Sequence, residues 1–238
     1  MTRPSRVIIN IKALEQNFSR IKELAPQSKV MAIIKADAYG HGIVRVAKTL
    51  RDADAFGVAC LEEAEQLRQS SIKTPIVLLE GPYKPDDLAL IAKFKLDIVI
   101  HNEYQIELLE KAEIEGSINA WLKIDTGMHR LGFPVEKVDV MLNRLLLCKN
   151  INSRPILMTH LATANEKKNN LTQQQLDAFK KISKVIDGDK TVANSAALIN
   201  FPEAHFDWVR PGLMLYGVSP IVGSSGIDHG LKSVMTLE

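Results

Sequence analysis

A lysine that closes a buried apolar run is an amine held where water is scarce, the setting in which lysine attacks carbonyl groups. The stretch "VMAIIKADAYGHG", Val30 to Gly42, contains one: Lys35 ends five apolar residues, Tyr39 follows four positions on, and Gly40 and Gly42 flank His41. Other apolar runs also end in polar groups. "WLKIDTGMHR" carries Lys123, Asp125 and Arg130, and "MTHLA" carries Thr159 and His160. "ANSAAL" carries Asn194 and Ser195, and "VRPGL" carries Arg210, Gly212 and Leu213, while Glu80 and His101 follow two further runs. Taken singly, each has a bland explanation. A terminal lysine is commonly a solvated charge, His160 a hydrogen-bonded core residue, and Arg210 a cap on a strand end. In "WLKIDT", Trp121, Lys123 and Asp125 share one face of an extended chain. A lysine facing a packed interior must be paired or turn neutral, so Lys123 pairs with Asp125 or another carboxylate, or its pKa falls.

The elements that carry these residues alternate. Strand-like runs "KVMAIIKA", "AFGVAC", "TPIVLLEG", "LDIVIHN", "NAWLKIDT", "RPILMTHLA", "KTVANS" and "FDWVRPGLMLYGV" are separated by amphipathic helical patterns such as "CLEEAEQLRQ" and "TQQQLDAFKKISKVI". That alternation predicts βαβ units and a parallel sheet. Eight strands predict closure into a (β/α)8 TIM-type barrel. An open doubly wound sheet is the rival, but no GxGxxG follows the first strand. In a barrel, catalytic groups sit at the C-terminal ends of the strands, which gathers the polar residues above at one mouth. Ahead of the barrel, "VIIN" reads as a strand and Leu14 to Leu24 as a helix. After "LYGVSP", a Gly/Ser cluster reads as a linker, and "LKSVMTLE" alternates like the opening of a new strand. The expected division is therefore 1–225 for the barrel with its N-terminal extension. Residues 226–238 would be a linker and the first strand of a further, missing domain.

Bulk properties exclude several classes. The 238 residues are 46% hydrophobic with a net charge of +2, which gives no ground for nucleic-acid or anionic-membrane binding. No apolar run is long enough to span a bilayer, and the N-terminal stretch "MTRPSRVIINIKALEQNF" lacks a signal-peptide core. Cys60 and Cys148 stand in no metal-ligand or disulfide pattern, so reduced thiols, a cytoplasmic location and no metal are the expectation.

Barrels often hold phosphate with the loops after strands seven and eight. Here those loops offer Ser195 at the start of a short helix and the backbone amides near Gly212. Lys35, a phosphate site and a ring-sized gap between them describe pyridoxal 5′-phosphate, whose aldehyde condenses with lysine. The motifs "KADAYGHG", "WLKIDTGMHRLGF", "MTHLATANE", "ANSAAL" and "VRPGLMLYGVSP" resemble, in order, those of bacterial alanine racemases. These are pyridoxal-phosphate enzymes with a barrel followed by a β-rich C-terminal domain.

The resemblance implies a set of roles. Lys35 holds the cofactor covalently. Tyr39, Ser195, Gly212 and Leu213 bind its phosphate, and the two glycines of "YGHG" let backbone approach it. Arg210 faces the pyridine nitrogen, with His160 hydrogen-bonded to that arginine. Arg130 lies near the cofactor oxygen and the substrate carboxylate. Lys123 matches a lysine that is carbamylated in many members. The implied activity is interconversion of L- and D-alanine by a homodimer, supplying D-alanine for peptidoglycan. The family's second base is a tyrosine in the C-terminal domain of the partner subunit. None of Tyr39, Tyr83, Tyr104 and Tyr216 matches it, so weak activity is expected of this chain alone. Rival readings are a pyridoxal-phosphate barrel enzyme acting on another amino acid, a non-catalytic carrier of the cofactor, and a phosphate-binding barrel without it.

Overall fold

The computed structural model describes residues 5–238. Residues 1–4, the start of the segment read above as lacking a leader, lie outside the described residues. The apolar runs form parallel strands β1 (Lys29–Ile33), β2 (Ala55–Val58), β3 (Ile76–Leu78), β4 (Asp97–Ile100), β5 (Ala120–Asp125), β6 (Ile156–Met158), β7 (Lys190–Asn194) and β8 (Trp208–Arg210). Each pairs with the next, and β8 returns to β1 through Trp208↔Lys29 and Val209↔Val30, so the sheet closes into a (β/α)8 barrel. The open-sheet rival is excluded by that last pairing.

Two apolar cores follow from strand alternation. Outward residues such as Val30, Phe56, Leu78, Ile98 and Leu122 pack against buried helix residues such as Leu67, Ile106 and Phe179. Inward residues Met31, Ile33, Ala55, Val77, Val99, Trp121, Met158 and Trp208 fill the barrel. Gly57 also faces this filled interior: a Cβ there would lie 2.6 Å from Ile33 Cδ1. At the N-terminal end, Trp121 and Trp208 meet edge to face at 5.2 Å. Their indole N–H groups donate to Asp97 and Asp189, at 3.2 and 3.0 Å, so the plug is apolar inside and satisfied at its rim.

Above the plug the same inward face turns polar. Two positions after Ile33, Trp121, Met158 and Trp208 come Lys35, Lys123, His160 and Arg210. The period of a strand thus stacks a polar layer directly on an apolar one. Between β7 and β8 the register slips, with Trp208 opposite Thr191 but Arg210 opposite Asn194. This bulge sits beside the polar layer, where extra twist re-aims side chains.

The N-terminal helix begins at Ile11, three residues before the expected Leu14, because Asn10 caps it by accepting from the Ala13 amide at 3.1 Å. The Gly/Ser-rich stretch is a folded loop. Ser219 and Ser224 hydroxyls lie 2.7 Å apart, Ser224 Oγ lies 2.8 Å from His229 Nε2, and Leu231 and Val234 are buried. The final strand, Met235–Leu237, pairs antiparallel with Val7–Ile9. Among the described residues, no helix is long and apolar enough to cross a membrane. Cys60 and Cys148 are free thiols.

Asn17 ties this returning segment to the N-terminal helix. Its amide donates to Leu215 O (3.0 Å) and Lys232 O (2.8 Å), and its Oδ1 accepts from the Lys232 amide (2.8 Å). Asn17→Ala strands those buried backbone groups and should cost about 1–3 kcal/mol, read as a lower urea midpoint. A midpoint unchanged from the parent chain would show that water replaces the side chain at no cost.

Candidate active site

A cavity of about 600 Å³ opens at the C-terminal mouth of the barrel. Lys35, Tyr39, Lys123, Arg130, His160, Ser195, Arg210, Gly212 and Leu213 all line it, whereas Asp125, Thr159 and His101, also at the ends of apolar runs, do not. Its size falls in the range of small-molecule sites. Glu80, which follows one of the apolar runs, also lines it, as do Leu131, Asn165 and Pro220, which were not among the candidates. Nothing in the local sequence of these last three marks them, because each reaches the cavity from a loop.

Lys35 and Tyr39 are joined by an unusual turn. Ala36, Asp37, Ala38 and Tyr39 all have φ between 51° and 55°, a left-handed helical turn made without glycine. Each such residue costs roughly 1–2 kcal/mol through its Cβ. Gly40 follows it at φ +82°, and after His41 at φ −92° Gly42 returns to positive φ at +88°. A Cβ on Gly40 would meet nothing within 4 Å, and one on Gly42 only Arg45 Cβ at 3.9 Å. The positive φ at both positions is a backbone conformation that glycine adopts without a Cβ penalty. Tyr216 packs beneath the turn, its ring 4.9 Å from Tyr39 and 4.5 Å from His41, and its hydroxyl donates to Ile33 O at 3.1 Å. His41 Nδ1 lies 3.0 Å from both the Ala38 and Tyr39 carbonyl oxygens.

The glycine that does permit close approach is Gly212. A Cβ there would lie 2.8 Å from the Tyr39 hydroxyl oxygen. Ser195 Oγ accepts from the Gly212 amide at 2.8 Å and from the Met214 amide at 3.4 Å, which leaves its own O–H free to donate. Asn194 caps the helix that Ser195 begins, its Oδ1 accepting from the Ala196 and Ala197 amides at 3.1 and 3.0 Å. Leu213 opens a 3-10 turn, where a first-turn amide has no acceptor within the turn. The Tyr39 and Ser195 hydroxyls and the Leu213 amide therefore form a donor set suited to an anion.

Arg210 is fully enclosed. Its guanidinium donates to the Thr191 hydroxyl, to Thr159 O at 2.6 Å and to Val192 O at 3.2 Å, and lies 3.4 Å from His160 Nδ1. No carboxylate pairs with it among the described residues. Burial lowers its pKa to about 10, which leaves it charged at neutral pH. Asn194 Nδ2 approaches His160 Nε2 from the other side at 3.4 Å. Burial and then the charges of Arg210, Lys123, Arg130 and Lys35 push the His160 imidazole down to about 3. Burial, followed by Arg210, Arg130 and Lys35, pulls Lys123 down to about 8.

The expected Lys123–Asp125 pair is not made. Asp125 turns instead into its own loop, where Oδ1 accepts from the amides of Gly127, Met128 and His129, each at 3.0 Å. Gln175 supports this side from the helix Asn170–Ser183. Its Oε1 accepts from the Ala162 amide at 2.9 Å, and its Nε2 donates to His160 O at 3.1 Å.

A lysine after strand one, an anion-suited donor set over strands seven and eight, and a buried arginine on strand eight give the (β/α)8 barrel a cationic mouth. The family model described as "Alanine racemase, N-terminal domain" matches residues 9–220, and the chain belongs to that family. It is 47% identical over 238 residues to the alanine racemase of Shewanella denitrificans, covering 98% of this chain and 65% of that protein. It is 46% identical over 232 residues to the biosynthetic alanine racemase of an Escherichia coli strain, covering 97% of this chain and 65% of that protein. The crystal structure of biosynthetic alanine racemase from Pseudomonas aeruginosa superposes with a TM-score of 0.95 at 39% identity, covering 99% of this chain and 66% of that one. A structure of alanine racemase from Bartonella henselae with covalently bound pyridoxal phosphate superposes at 0.85 with 26% identity, covering 99% and 66%. The chain thus spans about two thirds of the length of the relatives it matches, 65% in the first of them.

The Lys123 shift makes a prediction about pH. Its folded pKa of about 8 lies below the ordinary lysine value of 10.5. The unfolded chain therefore binds that proton more tightly, and stability rises with pH between those two values. Below pH 8 the full penalty applies, up to about 3 kcal/mol if the whole shift is realised. Lys123→Met should raise the ligand-free melting temperature at pH 7 and flatten its rise across that window. A slope that survives the substitution would place the titrating group elsewhere.

Proposed function

We propose that this chain is the cofactor-binding barrel of an alanine racemase, which interconverts L- and D-alanine with pyridoxal 5′-phosphate. The observation that carries this reading is the convergence of the Lys35 amine, the Tyr39–Ser195–Leu213 donor set and the unpaired Arg210 in one cavity. The residues present fit the cofactor. Gly212 leaves space for the Tyr39 hydroxyl, Ser195 keeps a free proton, and several cations converge with no ion-pair partner found for Lys35, Lys123, Arg130 or Arg210 among the described residues. When bound, the cofactor supplies an aldehyde carbon that bonds to amines and a ring that draws electron density from the neighbouring Cα.

The protein's part is to hold groups and move protons. Tyr39, Ser195 and the Leu213 amide bind the phosphate and fix the ring's position. Lys35 is the residue that would hold the cofactor covalently, and its amine would take or return the Cα proton on one face. Arg210 is the residue that would meet the cofactor's ring nitrogen. A guanidinium has no acceptor and keeps its own proton at neutral pH, so it donates a hydrogen bond without protonating the ring. A ring partnered in this way would be a weaker electron sink than a protonated one. His160, pushed down to about 3, stays neutral beside Arg210 and adds no competing charge. Arg130 anchors the substrate carboxylate. Lys123, pulled down to about 8, has a larger share of the neutral amine that carbamylation requires than an exposed lysine has, and the resulting anion would pair with Arg130. The opposite face of Cα needs a second base. The resemblance assigns it to a tyrosine in the C-terminal domain of a partner subunit, so full activity belongs to a homodimer of the longer protein.

Borohydride treatment of the chain with pyridoxal 5′-phosphate should label Lys35, and Lys35→Ala should lose the label while keeping part of the affinity. Tyr39→Phe and Ser195→Ala should each weaken binding by about 1.5–3 kcal/mol, the range for hydrogen bonds to charged groups. A label that persists in Lys35→Ala would assign the cofactor to another lysine.

A further inference from the structure

We propose that Glu63 is a positioning residue for this site: its carboxylate pins the left-handed turn and so fixes the Tyr39 hydroxyl relative to the Lys35 amine. The inference rests on the cofactor reading above. Glu63 sits in the helix Leu61–Gln69, outside the cavity lining. Both of its oxygens accept from backbone: Oε1 from the Asp37 amide at 3.1 Å and Oε2 from the Ala59 amide at 2.8 Å. Asp37 lies inside the left-handed run, and Ala59 directly follows β2. One carboxylate therefore staples the turn to the end of the neighbouring strand through two charge-assisted hydrogen bonds.

The turn needs an external hold. Four consecutive non-glycine residues stay in a conformation that each disfavours, which persists only where the surroundings over-determine it. Several supports come from the same stretch of chain. Asp37 Oδ1 accepts from the Ile43 amide at 2.7 Å, and His41 Nδ1 meets the Ala38 and Tyr39 carbonyls. Such local bonds can move with the turn. Two contacts come from other β/α units: Tyr216, which stacks on the Tyr39 ring, and Glu63, which holds the backbone. Without Glu63 the run is released toward right-handed conformations, and Tyr39 leaves the place that Gly212 keeps open for it.

The test compares binding of pyridoxal 5′-phosphate with that of pyridoxal, which lacks the phosphate. The unaltered chain should prefer the phosphorylated form. Glu63→Ala should reduce that preference about ten-fold, the loss of one hydrogen bond to a charged group. Ala36 is exposed, and glycine enters positive φ without the Cβ clash, so adding Ala36→Gly should restore most of it. A glutamate with a merely structural role would weaken both ligands alike and would not be rescued by glycine. Glu65→Ala, on the exposed face of the same helix, should change nothing. Glu63→Gln keeps one acceptor and should show an intermediate loss, which covers the case in which Glu63→Ala fails to fold. Amide exchange on the ligand-free chain tests the same hold on the turn without any cofactor. Glu63→Ala should speed exchange of the Ile43 amide, which bonds to Asp37 and does not touch Glu63. Unchanged exchange there overturns the proposal. So does an unchanged ligand preference, or a lost preference that Ala36→Gly does not restore. If the unaltered chain binds neither ligand, the cofactor reading fails, and the exchange result alone decides the role of Glu63.

Discussion

A guanidinium buried in the mouth of the barrel, with no carboxylate beside it among the described residues, sets the electrostatics of the groups around it. Arg210 is solvated by neutral dipoles alone: the Thr191 hydroxyl and the Thr159 and Val192 carbonyl oxygens. Dipoles satisfy its hydrogen-bonding capacity but do not cancel its charge. The field therefore reaches its neighbours at low dielectric, where a charge acts more strongly than in water. His160 and Lys123 are both shifted toward their neutral forms, with burial the first cause and Arg210 the second in each case. A site built this way favours an anion in the cavity, because the ligand supplies the charge that the protein withholds.

That arrangement depends on the layer beneath it. The two indoles and the methionines seal the N-terminal half of the barrel, and the polar residues stand directly on that seal. Strand alternation does most of this, since an inward apolar residue is followed two positions later by an inward polar one. This is why so much of the site was legible in the sequence. Lys35, Lys123, His160 and Arg210 each end or follow an apolar run at the right spacing, and closure of the barrel does the rest. The strands and their order were legible for the same reason, because eight runs separated by amphipathic helices leave few ways to bury both faces of a parallel sheet.

What the sequence hid was hidden by local conformation. Alanine is a strong helix former, and "KADAYG" reads as the opening of an ordinary right-handed turn. Its left-handed path is imposed by groups distant in sequence, Glu63 on one helix and Tyr216 on a later turn. The fate of Asp125 was hidden likewise. Two residues from Lys123 on the same strand face, it looks like an ion-pair partner, yet three consecutive amides of its own loop claim one oxygen. Three amides in a row are a better donor environment than one flexible ammonium, and the loop supplies them at no cost in side-chain ordering.

The loss of that pair is itself consequential. Had Asp125 paired with Lys123, the mouth of the barrel would carry one net positive charge fewer. By turning Asp125 outward, the loop leaves Lys123 buried, unpaired and shifted to about 8, and adds its charge to the field on His160. The same carboxylate that orders the loop bearing Arg130 thereby keeps the cavity free of internal anions on that side. Structure and electrostatics are coupled through one side chain: the geometry that satisfies three backbone amides is also the geometry that leaves the site cationic.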